Sequence, residues 1–396
     1  MNIFDKLEID NCTGCHSCFN CCPVSVINMK YNAQGFLVPI IDEKKCIQCG
    51  KCISCCPVLT APMKNSGNKY YAAYCKSERQ HILSASGGIF GTLANYVIEH
   101  DGYVVGAAFD NKIHLKHIIV NNKKDLIKLF GTKYVQSEIG DVYEKIESLL
   151  NEGKKVFFSG TSCQVAGLKS FLQKEYDRLF CMDLICHGVP SPLIWDKYLK
   201  ELSPKDEIVD MTFRKKNKSN SNWPLVFKCQ SGTMIIEKYH DNEYIKGFIQ
   251  NYYLRESCYH CKFKGLNRCS DITIGDFWGL ETYDKGFYHQ HGTSMVIIHS
   301  EKGNNLFTSI SDRLVYEEVP ENIAINIAKT SNVCLFESVP YTKKRELFFK
   351  KYQKDGIIRI IERLSRPTVS ERIRHIYFRM RIKLSRYVRH GGNLDE

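Results

Sequence analysis

Two cysteine runs, Cys12-x2-Cys15-x2-Cys18-x3-Cys22-Pro23 and Cys46-x2-Cys49-x2-Cys52-x3-Cys56-Pro57, lie thirty-four residues apart, and no other feature restricts the chain so tightly. Three thiolates at i, i+3 and i+6 on a tight loop can each reach one iron of the same 4Fe-4S cube, and the fourth must come from elsewhere. In paired runs of this spacing the fourth ligand crosses over. That assigns Cys12, Cys15, Cys18 and Cys56 to one cluster and Cys46, Cys49, Cys52 and Cys22 to the other. The competing chemistries are zinc and disulfides. Zinc needs four ligands in one compact set, and eight cysteines in a duplicated register would be an odd way to supply it. Pro23 and Pro57 end the runs and turn the chain away. Cys21 and Cys55 are left over, each directly before a ligand, and read as small buried side chains.

With 396 residues, 43% of them hydrophobic, the chain is long enough for two or three domains. No apolar run is long enough to span a bilayer. Nineteen cysteines would mean disulfides in a short secreted chain. Here most fall in metal-ligand spacings, and the opening Met1-Asn-Ile-Phe-Asp-Lys has no apolar leader core, so a cytoplasmic chain is expected. The net charge of +12 loses its nucleic-acid meaning once located, because residues 356–390 hold ten Arg or Lys against Glu362 and Glu371. The basic residues are not interleaved with stacking aromatics on a β surface, so no nucleic-acid partner is expected.

Residues 1–60 form the cluster module, held together largely by iron and thiolate. Ala61–Asn68 reads as a linker. The region 70–153 opens with a strand at 70–75 and a glycine-opened helix after Ser86-Gly87-Gly88. Strands follow at 103–109 and 115–120, then mostly helix from 124 to 152. The region 154–345 starts with two strand–loop–helix units, Lys155–Ser159 into Gly160-Thr-Ser-Cys163 and Arg178–Ile185 into Cys186-His-Gly188. That argues for a parallel βαβ arrangement, with Cys163 and Cys186 at the carboxyl ends of strands, where ligands sit in such sheets. Short strands from 208 to 237 suggest an antiparallel extension, and a helix is expected over 244–255. The fold class is therefore α/β with α+β character: a small two-cluster module fused to an α/β body.

Six ordered motifs resemble the coenzyme F-420 hydrogenase/dehydrogenase beta-subunit family in its form fused to a double-cluster ferredoxin. They are Ser86-Gly-Gly, Gly131-Thr-Lys-Tyr-Val-Gln-Ser137, Phe158-Ser-Gly-Thr-Ser-Cys-Gln164, Leu184-Ile-Cys-His-Gly-Val-Pro-Ser191, Cys258-x2-Cys261 and Asp271-Ile-Thr-Ile-Gly-Asp-Phe-Trp-Gly279. The resemblance runs over about residues 1–310 and implies a flavoprotein that passes electrons between iron-sulfur clusters and a hydride acceptor or donor through FAD. Ser162 replaces a usual proline, Thr132 a common serine, and Cys269 is extra. Nothing resembles a nickel-iron hydrogenase large subunit.

Cys163, Cys186, Cys258 and Cys261 make one further complete ligand set, sufficient for a third 4Fe-4S cluster near the flavin. The alternative is buried cysteines with zinc or nothing at the C-x2-C, and Cys269 is a substitute for any one ligand. There is no G-x-G-x-x-G after a strand, so FAD is not expected in a Rossmann mode. Phosphate can instead be held at helix starts, by Ser86, Gly87 and Gly88 and by the Gly160-Thr161 turn, with Lys133 adding charge near a phosphate or the ring. His187 reads as structural, Asp271 and Asp276 as caps or flavin contacts, and 213–218 as a solvated basic loop. No catalytic acid or base is singled out.

Two functional readings stay open. The first is a flavin- and iron-sulfur-dependent oxidoreductase fed by ferredoxin or another electron-transfer protein, with an unidentified deazaflavin-type, nicotinamide or glycan-pathway acceptor. The second is a noncatalytic electron-transfer subunit serving a partner enzyme. The segment 356–396 reads as a basic amphipathic tail, with apolar residues at helical spacing from Ser370 to Arg389. It either docks on the body or attaches reversibly to the inner face of an anionic membrane.

Overall fold

The computed structural model describes residues 1–65, 67–216 and 223–366. Thirteen strands occur among them: β1 (Ile27–Tyr31), β2 (Leu37–Ile41), β3 (Lys69–Cys75), β4 (Tyr103–Phe109), β5 (Leu115–Val120), β6 (Val156–Gly160), β7 (Leu179–Leu184), β8 (Ile208–Thr212), β9 (Leu225–Cys229), β10 (Met234–Glu237), β11 (Ile272–Asp276), β12 (Ser294–Ile298) and β13 (Leu314–Glu318). Eight build one sheet in the order β13-β3-β12-β11-β7-β6-β4-β5. Its centre, β4, β6, β7 and β11, is parallel, and the flanking strands pair antiparallel. Every residue of β6 and β12 is buried, as strands covered on both faces must be. The alternation of side chains shows the layers. Val104 and Phe157 pack with the helix Ile89–Glu99, whereas Val105, Val156 and Phe158 pack with the helices Val142–Asn151 and Ser162–Leu172. The regions 70–153 and 154–345 thus contribute strands to a single sheet and form one body.

The strands at 208–237 do not extend that sheet. They form a separate antiparallel sheet, β10-β9-β8, closed by helices into an aromatic-rich lobe around Trp195, Tyr244 and Phe227. The helix expected over 244–255 is shorter, Glu243–Ile249, and stops ahead of Asn251, which sits at φ +62°. The stretch 124–152 divides into a short helix Lys123–Leu126, a 3-10 turn and the helix Val142–Asn151. Residues 356–366 belong to the lobe. The helix Ile357–Ser365 buries Ile357, Ile360, Ile361 and Leu364 at helical spacing, each worth about 1.5–3 kcal/mol. The Glu201 carboxylate accepts from the Ile357 amide at 2.7 Å with both oxygens and from the Ile358 amide at 3.0 Å. The rest of the proposed basic tail, from residue 367 on, lies outside the described residues. Among the described residues no helix is long and apolar enough to cross a membrane.

The N-terminal module, residues 1–60 with the β1–β2 hairpin, is pressed against both lobe and body. Ser191 Oγ and Arg345 Nη2 donate to Gln34 O and Oε1, each at 2.6 Å. Asn20 Nδ2 donates to Gly140 O at 2.9 Å. A close approach to the cysteine loop itself is at Gly167 in the helix Ser162–Leu172, where a Cβ would come 2.8 Å from Cys15 Cβ and 3.0 Å from Cys15 Sγ. No side chain fits there without moving the first cysteine loop. Gly167→Val should therefore lift that loop off the body, raising protease sensitivity around residues 61–68 while leaving helix and strand content near wild type. Unchanged digestion of the variant would refute this docking.

Candidate metal centres

The structure brings the module cysteines into two sets. Cys12, Cys15, Cys18 and Cys56 face one small cavity, and Cys22, Cys46, Cys49 and Cys52 face another. Each run thus sends its fourth cysteine across to the other. Short helices Ser17–Asn20 and Lys51–Ser54 carry the crossing, each opened by a left-handed residue, His16 at φ +62° and Gly50 at φ +75°. Glycine is at ease in that conformation and histidine is not, so His16 needs a reason for its place. Its ring is buried, lines the first cavity, and its Nδ1 has no hydrogen-bond partner among the described residues. Burial, and then the nearby Arg255 guanidinium, push its pKa down to about 3. A neutral imidazole with a spare nitrogen beside four thiols fits a cluster sulfur as its hydrogen-bond partner. Cys21 and Cys55, expected as small buried side chains, face each other across the runs, Cys55 buried and Cys21 half-buried.

The two sets differ in exposure. All four cysteines of the first are buried, whereas Cys49 of the second is exposed and Cys22 and Cys46 are half-buried. The first faces the body and the second faces solvent.

Cys163, Cys186, Cys258 and Cys261 surround a third cavity inside the body. Cys163 follows β6 and Cys186 follows β7, adjacent parallel strands, while the other two flank the end of the 3-10 helix Glu256–His260. Burial pushes the Cys186 thiol up to about 12 and the Cys258 thiol up to about 11, and Cys163 is raised well above the usual thiol range. Thiolates here require a metal or cations to compensate them. Lys264 lines the same cavity and donates to the Cys186 and Cys334 carbonyls. Arg268 lines it too, ion-paired to buried Asp183 at 2.9 Å and bonded to Ser162 Oγ. Among the described residues no three His, Cys, Asp or Glu side chains converge on a single metal ion. Thr13, between the ligand candidates Cys12 and Cys15, lines both the first and the third cavity.

The candidate flavin seats look different. The Gly87 amide donates to Ser294 Oγ at 3.0 Å, and its carbonyl accepts from Cys75 N at 2.7 Å. A Cβ on Gly87 would run into the Ala73 carbonyl oxygen, and one on Gly88, at φ +84°, into Cys75. These glycines serve a close approach of chain to chain, and with Ser86 bonded to the Thr293 carbonyl, the turn does not fit a diphosphate. Lys133 spends its ammonium on the carbonyls of Leu129, Phe130 and Gly131. Thr161 caps the helix Ser162–Leu172 and touches Cys163 Sγ at 3.1 Å, and Gly160 closes β6 ahead of it, so this turn belongs with the third thiol set.

His187 is held by Asn251 and Cys334, consistent with a structural place. Asp271 accepts from the Cys181 amide and the Ser300 hydroxyl, whereas Asp276 pairs with Arg214 at 2.9 Å. That pair, with Phe213, Arg214 and Lys216 buried, corrects the expectation of a solvated 213–218 loop over 213–216, while 217 and 218 lie outside the described residues. Arg214 stacks on Trp223, and buried Lys216 donates to the carbonyls of His81, Ser86 and His291. Cys269 packs at the edge of the core beside Phe171 and Tyr176 and does not line the third cavity. Sequence reasoning passed over Arg255 and Arg268, which stand in no metal-ligand spacing. Lys264 carried one faint signal, its place three residues after Cys261.

Comparison with known proteins bears on the same regions. Residues 11–60 match the 4Fe-4S dicluster domain, and residues 153–323 match the model for the C terminus of the coenzyme F420 hydrogenase/dehydrogenase beta subunit. Among solved structures, the chain is similar to one in the xenon-derivatised F420-reducing NiFe hydrogenase complex from Methanosarcina barkeri. The TM-score is 0.45 and the identity 17%, over 69% of this chain and 90% of that one. No curated protein matches.

The thiol sets predict an iron inventory. Cys261→Ser should lower the iron and sulfide of anaerobically prepared protein by about a third, four irons of about twelve, and leave the signals of the module clusters intact. Full iron in that variant and in Cys163→Ser would remove the third cluster.

Proposed function

We propose that this chain, which belongs over residues 153–323 to the coenzyme F420 hydrogenase/dehydrogenase beta-subunit family and carries a 4Fe-4S dicluster domain over residues 11–60, is an oxidoreductase joining a one-electron protein carrier to an organic electron-pair acceptor or donor. The observation that carries this reading is the placement of three four-thiol sets from surface to interior, with Thr13 shared by the buried two. Clusters held there supply one-electron steps at low potential.

What the chain's own residues do follows from that order. Exposed Ile47 and Val24 beside Cys49 and Cys22 give a carrier an apolar place to dock, ringed by exposed Lys44 and Lys51 that favour an acidic partner. Gly167 lets the first loop seat directly on the body, and the capped turn at Thr161 presents Cys163 from the other side. The organic partner meets the chain at a cavity of about 290 Å³ between module and body, lined by Gly14, His16, Tyr31, Gln136, Ser137 and Trp195. That volume is at the lower end for a small-molecule site. Gly14 and His16 belong to the first cysteine loop, so a molecule in this cavity lies against that loop. FAD is implied by the family likeness, and Ser86, Gly87 and Lys133, the residues expected to seat it, bond groups of the chain itself.

The test is anaerobic purification followed by reduction with an acidic one-electron carrier and reoxidation by candidate acceptors. Lys44→Glu with Lys51→Glu should slow carrier-driven reduction several-fold and weaken its dependence on salt, while dithionite reduction is unchanged. Turnover of an acceptor by the isolated chain would establish the enzyme. A strict need for a second protein would leave an electron-transfer subunit. Equal rates with both charge signs at 44 and 51 would place the carrier elsewhere.

A further inference from the structure

Four arginines are buried among the described residues: Arg214, Arg255, Arg268 and Arg345. Three of them hold a carboxylate at 2.9 Å, namely Asp276, Asp183 and Glu256. Arg255, 3% exposed, holds only neutral acceptors. Its Nε donates to the Cys12 carbonyl at 2.6 Å, Nη1 to Gln136 Oε1 at 3.0 Å, and Nη2 to the Leu37 carbonyl at 2.8 Å, with Phe36 packed on the guanidinium. A buried cation without a counter-ion is costly, and a fold that keeps one has a negative charge nearby to compensate it.

Its place tells which charge. Arg255 stands at the start of the 3-10 helix that carries Cys258, and it lines the third cavity. Its side chain reaches under the first cysteine loop, so closely that a Cβ on Gly14 would come 2.6 Å from Nη1. The guanidinium is therefore wedged between the first and third thiol sets. The second set is the more exposed one, and Arg255 does not line its cavity. Four thiolates round an iron-sulfide cube carry net negative charge, which grows by one on each one-electron reduction.

We propose that Arg255 is the shared counter-charge of the first and third clusters, favouring the reduced form of each and so matching them for electron passage across the module–body junction. Arg255 is a positioning and tuning residue in this role, not a catalytic one. The first cluster is then the module's exit toward the body, and the second, out of reach of this charge, is its entry. This inference rests on the reading of the first and third cavities as cluster sites.

The experiment is an anaerobic redox titration followed by electron paramagnetic resonance on the full chain, comparing wild type, Arg255→Lys, Arg255→Gln and Arg255→Met, with iron counted in each. Expected are first- and third-cluster potentials shifted negative in Gln and Met, largely restored in Lys, and a second-cluster potential that does not move. A tenfold bias toward the oxidised form reads as about 59 mV for a one-electron couple. Potentials unmoved in a variant with full iron, or all three moved equally, overturn the proposal while leaving the cluster reading in place. A wild-type protein lacking the third cluster's iron overturns the cluster reading itself. If Met loses iron, the Lys and Gln pair decides: different potentials support the counter-charge, and equal ones refute it.

Discussion

A cube of iron and sulfide takes one thiolate at each of four corners, and a single short loop can offer only three. The crossing of Cys22 and Cys56 follows from that constraint, and much else follows from the crossing. Two runs that exchange ligands must fold face to face, with left-handed residues at 16 and 50 turning each chain into the helix that carries it across. Once the runs face each other, one set must look inward and one outward. The body accepts the inward set by leaving out a side chain at Gly167 and by sending Arg255 under the Cys12 carbonyl.

Charge is handled differently in the body. Arg268 and Asp183 form a buried pair, extended through Thr273 to His299 and Asn68 by short hydrogen bonds. Each polar group in that chain has a partner, which is the condition for burying it without a large penalty. Burial, opposed by the Asp183 carboxylate and aided by the Arg268 guanidinium, holds the His299 pKa down to about 4. Lys216 follows the same rule with three carbonyls and ties the second lobe to the turn at Ser86. Arg214 and Lys216 are therefore interior while Lys215 between them is exposed, because a distant carboxylate and the carbonyls of a turn accept from them, which sequence patterning does not display.

Spacing along the chain was the legible part. Cys12 to Cys22 and Cys46 to Cys56 announced their chemistry because ligand geometry is local, and Cys163 and Cys186 were placed by the strands they follow. The βαβ units, the strands at 103–109 and 115–120 and the Cys258-x2-Cys261 knuckle were legible for the same reason. Features that depend on contacts distant in sequence were not. Gly87 looked like an open phosphate seat, because a glycine beside a helix start reads alike whether it meets a ligand or the Ala73 carbonyl. The strands of 70–153 and 154–345 looked like two regions, but β3 inserts between β13 and β12. Arg255 gave no signal, since its meaning lies in what it touches 243 residues away, the carbonyl of Cys12.

The order of the thiol sets also limits what can approach each one. A protein carrier can press against the exposed rim around Cys49 but cannot reach Cys163 or Cys186, which open onto a cavity walled by Arg255, Lys264 and Arg268. Only a small molecule can enter the space beside His16 and Ser137. On the proposed function, the protein carrier and the organic partner meet the chain at two different cavities. On that proposal the passage between them runs through the Cys12–Cys15 loop, which Gly167 and Arg255 seat on the body. Substitutions there are expected to uncouple the two half-reactions while each still proceeds alone, an effect that loss of a ligand cysteine would not produce.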